Sequence, residues 1–126
     1  MIEEALGMCA QSKVKLPNGN RAIVDINKLR DYCLNTNHDE GKHKARVFAS
    51  ALGLRAVDAE WMRDQLLKAA AREDACPISS TRFGTLYMLD FELKTEAGSA
   101  TVRSGWIIRH HEDFPRLTTC YVKQKK

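Results

Sequence analysis

The chain has 126 residues, 44% of them hydrophobic and 29% charged, with a formal net charge of +4. That is enough for one domain with a real core, too short for two ordinary ones, and too apolar for a disordered chain. A pI of about 9.0 permits a polyanionic partner without demanding one.

Ile2 to Ser12 fits a short helix with Ile2, Leu6 and Cys9 on one side, an appendage over residues 1–14 ahead of a single domain over 15–126. Lys15 to Asn20 is a turn, in which Pro17 presets one dihedral and Asn18-Gly19 supplies positive φ. Ala22 to Val24 is a short strand that can form a sheet edge. Asp25 caps the next helix, whose Ile26, Leu29 and Cys33 recur at helical spacing until turn-formers begin at Asn35. A second helix starts at Lys42 or His43, buries Ala45, Phe48 and Leu52, and stops at Gly53. A third runs from Asp58 to Arg72 with Ala59, Met62, Leu66 and Ala70 as its apolar stripe. Glu73 to Ser80, with Pro77 and two serines, is expected to be a connector.

The period then changes from helical to alternating. Phe83, Thr85, Tyr87, Leu89, Phe91 and Leu93 share one side of a strand. Glu96 to Ser99 is a hairpin turn, Ala100 to Arg109 a second strand and Leu117 to Lys123 a third. Helices followed by strands give an α+β fold, with the N-terminal helices packed on one face of an antiparallel β-meander of three to four strands.

Four cysteines lack any CxxC pair, which argues against a zinc site, and a reducing compartment is the default. No apolar run approaches the ~20 residues of a membrane span, and Met1-Ile2-Glu3-Glu4 lacks the basic start of a secretory signal. Action in the cytoplasm, without a membrane partner, is therefore expected.

Two groups of residues can carry chemistry. His38, Lys42, His43, Lys44 and Arg46 put two imidazoles and three cations around a helix start, beside Gly41. Free N–H groups and a positive dipole end there suit a phosphate, and imidazoles titrate near cellular pH. RNA cleavage by 2′-hydroxyl attack needs a base, an acid and cations that stabilise a charged phosphorane, with no metal or other cofactor. The plain alternative is a solvated loop that caps helices. On the strands, Arg103 shares a face with Thr101, Gly105 and Ile107, and Leu117, Thr119 and Tyr121 share another. If the two strands are neighbours, Arg103 meets Thr119 and Tyr121, and a guanidinium beside two hydroxyls can clamp a phosphate. The alternative is an ordinary solvent face, and Asp90 and Glu92 beside Lys94 are taken as solvated charge. Trp61 and Trp106 are expected to pack in the core rather than stack on bases.

Lys15-Leu16-Pro17-Asn18-Gly19, Leu29 to Asn35, Asn37-His38, Gly41 to Phe48, Leu52-Gly53 and Phe114 to Tyr121 resemble a bacterial domain family of unknown function. Its members stand alone or close large polymorphic-toxin and adhesin-like proteins. More distantly, a His/Lys-bearing helix start followed by a meander ending in Thr-x-Tyr resembles the barnase–EndoU–colicin–RelE (BECR) ribonucleases. The resemblance implies a metal-independent toxin-type ribonuclease using His38, His43 or Lys44 with Arg103, Thr119 and Tyr121. Lys42 and Arg46 would add phosphate contacts, RNA such as tRNA would be the substrate, and a cognate inhibitor or immunity protein a further partner. Relatives tend to carry Asn-Pro-x-His-Pro where this chain has Asn35-Thr36-Asn37-His38-Asp39, so its loop is less rigid and more acidic. A non-catalytic protein-binding module and an RNA-binding domain without cleavage are the competing expectations.

Overall fold

The computed structural model describes residues 13–39 and 41–123; the helix expected over 2–12, with Cys9, lies outside them. Helix α1 begins as one turn over Ile26–Lys28 and widens into a π-helical turn over Leu29–Cys33. Asp25 caps it, accepting the Asn27 N–H at 2.9 Å. Helix α2 spans Lys42–Leu52 and α3 spans Ala59–Arg72. Gly53 ends α2 in the left-handed region at φ 68°, where a Cβ is disfavoured. The apolar stripes lie where the spacing predicts: Ala45, Phe48 and Leu52 on α2, and Ala59, Met62, Leu66 and Ala70 on α3, are all buried.

The fold is α+β, and the described residues hold an antiparallel sheet of five strands in sequence order. They are β1 (Val14–Lys15), β2 (Asp74–Thr81), β3 (Gly84–Thr95), β4 (Gly98–Arg109) and β5 (Arg116–Val122). The meander is thus longer than the three to four strands expected, because Val14–Lys15 adds β1 and the segment expected to be a connector is β2. Its other neighbour, β1, pairs only with Ala75 and Asp74, so from Cys76 onward β2 is an edge. An edge tolerates Pro77, and the register shift between Pro77 and Ser79 absorbs the missing donor. Ala22 to Val24 contributes one parallel bridge, Ile23 to Arg116, along β5.

Alternation sorts the sheet's side chains. Leu89, Phe91 and Leu93 of β3, Val102 and Trp106 of β4, and Leu117, Cys120 and Val122 of β5 join the helix stripes in one core. Ser104 is the buried polar exception; its hydroxyl donates to the Leu89 carbonyl at 2.7 Å and accepts the Trp106 indole N–H at 2.9 Å. Phe83, expected in one strand row with Leu89 and Phe91, instead sits in the β2–β3 turn and is 63% exposed. Trp61 is also partly exposed, at 40%. Leu117 does not share a face with Thr119 and Tyr121. A bulge between Gly105 and Trp106 pairs Thr119 with Gly105 and Leu117 with Trp106, so Thr118 is the extra residue and Leu117 turns inward. Close approach explains Gly19: a Cβ there would lie 1.9 Å from the Ala70 carbonyl oxygen, so the first turn seats directly on the end of α3.

Candidate functional site

Across the sheet face turned away from the core, Asp90, Arg103 and Tyr121 form one row on β3, β4 and β5. The Arg103 Nε and Nη2 each donate to an Asp90 carboxylate oxygen at 3.0 Å, a bidentate pair. Hydrogen bonding to Asp90 raises the Arg103 pKa against the cost of burial, and Tyr121 adds a smaller contribution in the same direction. Lys123 Nζ lies 3.6 Å from the other side of the pair, at Asp90 Oδ2. Two cations therefore share one carboxylate. Asp90 occupies the Nε/Nη2 edge of the guanidinium, and Tyr121 is a further hydrogen-bonding partner of Arg103.

The helix-start group reaches this row through one residue. On α2 each residue turns the direction by about 100°. Lys44 stands on the flank of the buried stripe, and its Nζ lies 4.4 Å from the centre of the Tyr121 ring. A cation over an aromatic face is attracted by the ring quadrupole, by about 0.5–2 kcal/mol. Its charge also acts behind the strand, where Lys28 and Lys44 help lower the Cys33 thiol pKa. The larger cause is a hydrogen bond with Cys120, whose own thiol is pushed well up by that bond and by burial. Lys44, Tyr121 and Arg103 thus meet at the β5 edge, with Thr119 one pleat away opposite Gly105.

The other helix-start residues stay apart from this meeting point. His43 and Arg46 are exposed and lie on the side of α2 opposite its buried stripe, and Lys42 lies on the other flank. His38 caps the helix: its Nδ1 accepts the Gly41 N–H at 3.0 Å and its carbonyl accepts the Lys42 N–H at 2.9 Å. Its ring also meets Tyr32 edge-on, with centroids 4.6 Å apart. Two of the N–H groups expected to await a phosphate are therefore bonded to His38. Gly41 does not open the backbone to a ligand either. A Cβ there would come within 2.8 Å of the Tyr32 carbonyl oxygen, so the glycine serves packing.

Beside Arg103 the same sheet face is hollowed into a cavity of about 340 Å³. Ile78, Leu86 and Met88 form its apolar wall, Thr118 and Thr119 face them, and Arg103 and Tyr121 stand at the rim. Sequence reasoning missed Asp90 as a partner of Arg103, and missed Thr118 and Lys123. A signal existed: with Glu96-Ala97 as a two-residue loop, strict pairing back from Thr95 and Gly98 sets Asp90 opposite Arg103. His110 bonds through Nε2 with the Thr81 carbonyl at 2.9 Å, and Glu112 takes a bidentate pair from Arg116 at 2.9 and 2.8 Å. Both tie loops together. Among the described residues no three His, Cys, Asp or Glu side chains cluster as metal ligands would, and no helix is long and apolar enough to cross a membrane.

A model of a domain of unknown function, DUF6883, matches residues 15–124. The chain belongs to that family. The DUF6883 match runs from β1 through β5, so it contains Lys44, Arg103 and Tyr121 together with the cavity beside them. No curated protein matches the chain.

Proposed function

We propose that this DUF6883 domain is a metal-independent, toxin-type endoribonuclease related to the BECR group, acting on cytoplasmic RNA and restrained by a cognate inhibitor. One observation carries the reading: Lys44 of α2 stands over Tyr121, which pairs across the strand with Arg103. A phosphodiester at the β5 edge would have an amine, a guanidinium and a phenol around it, with Thr119 beside them. Arg103 stabilises the charge that builds on the phosphorane. The Lys44 amine takes the 2′-hydroxyl proton and, as ammonium, adds to that stabilisation. Tyr121 gives its proton to the departing 5′-oxygen. The products are a 2′,3′-cyclic phosphate and a 5′-hydroxyl, and water returns both side chains to their starting protonation. His38 keeps its capping role, and His43 takes no part.

The test is incubation with total RNA in EDTA, beside Lys44→Ala, Arg103→Ala, Tyr121→Phe and His43→Ala. Cleavage should slow by about 100-fold or more in the first three and stay near the parent in the last. Recovery of intact RNA from the parent overturns cleavage. Intact RNA bound with a steep salt dependence would leave a binding domain, and capture of one protein without RNA affinity a docking module.

A further inference from the structure

We infer that the cavity beside Arg103 is a nucleobase subsite, and that Thr118 and Thr119 set which base it takes. The inference rests on the nucleic-acid reading above and deepens it. The cavity volume, about 340 Å³, falls at the lower end of the roughly 300–1,000 Å³ typical of small-ligand sites. It exists because of one residue and one irregularity. Gly105 stands in the row Met88, Gly105, Thr119 on the central part of the face, where any other residue would project into the space. The bulge beside it brings Thr118 to the same side, and a Cβ on Gly105 would meet the Thr118 Oγ1 at 2.8 Å.

The walls differ in chemistry in the way a flat heteroaromatic ring requires. Ile78, Leu86 and Met88 offer apolar surface to a ring face. Two hydroxyls opposite, each able to donate and accept, can read the ring's polar edge. The cation needed by an attached phosphate is Arg103 at the rim, with Lys44 beyond it across Tyr121. An apolar small molecule would satisfy the first wall but leave the hydroxyls and the guanidinium without partners, so the three features together fit a nucleotide.

The experiment titrates the parent with the four nucleoside 3′-monophosphates and with inorganic phosphate, followed by calorimetry and by the methyl NMR signals of Ile78, Leu86 and Met88. At least one nucleotide should bind about tenfold or more tighter than phosphate, the gain typical of one base contact. It should shift those methyl signals where phosphate does not. Gly105→Val should abolish the gain while leaving phosphate affinity, and Thr118→Val should reduce the differences among the four bases. Should Gly105→Val fail to fold, the parent's methyl signals and Thr118→Val still decide. Equal binding of all five ligands, or nucleotide binding without methyl shifts, overturns the base subsite and leaves the phosphate site standing. Absence of binding by any of the five overturns both.

Discussion

The two faces of the sheet are built from alternate residues of the same strands and have opposite characters. On the core side, Val102, Ser104 and Trp106 are sealed from water, and even the serine has both its bonds filled within the protein. On the other side, Arg103 and Asp90 remain 20% and 29% exposed, and Gly105 leaves a hollow. One face has no freedom to change and specifies the fold; the other is held to it by backbone alone and is free to carry charge. Stability and activity should therefore separate by residue parity along β4.

Trp106→Ala should break the fold side hardest, costing about 3–5 kcal/mol in chemical denaturation, the usual range for a large aromatic lost from a packed core. Ser104→Ala should cost about 1–3 kcal/mol, because the indole N–H is left buried without an acceptor. Arg103→Ala, one residue away, should slow cleavage by about 100-fold or more yet change stability by less than about 1 kcal/mol, since the ion pair and the Tyr121 contact it removes are partly exposed. An Arg103→Ala protein that unfolds like Trp106→Ala would erase the contrast between faces. Asp90→Ala sharpens it further: freeing Arg103 and Lys123 should tighten RNA binding at low salt and steepen its salt dependence, read by filter binding. The smallest effect belongs to Glu112, whose pKa is lowered from 4.5 by its hydrogen bonds from Arg116. Its contribution to stability is full above about pH 4.5 and is lost as pH falls through the lower folded value. Urea unfolding between pH 7 and 3 should show a shallower acid loss for Glu112→Gln than for the parent.

Elements with a clean period were legible in the sequence. The stripes of α2 and α3 and the alternation of β3 lie where their spacing put them, because burial on one face demands that spacing. β2 was hidden by Pro77 and two serines, which an edge strand tolerates and a central one does not. Arg103 and Tyr121 were recognisable as neighbours once β4 and β5 were adjacent. The approach of Lys44 was not legible, since it depends on how α2 packs against the β5 edge. Nor was the capping by His38, because histidine at that position carries no general signal of it. Asp90 was misjudged as solvated charge because its partner is set by hairpin register, and placing the turn at Glu96 to Ser99 shifted that register.

The one unmatched residue of β5 is Thr118. Upstream of it Leu117 fills the interior, and downstream Thr119 and Tyr121 face outward. Deleting Thr118 would make Leu117 and Thr119 adjacent, so ordinary alternation would still turn leucine inward and the phenol outward, while the bulge and the hydroxyl beside Gly105 would be lost. A Thr118 deletion should therefore keep the core and the Tyr121 row in place and remove only one wall of the cavity.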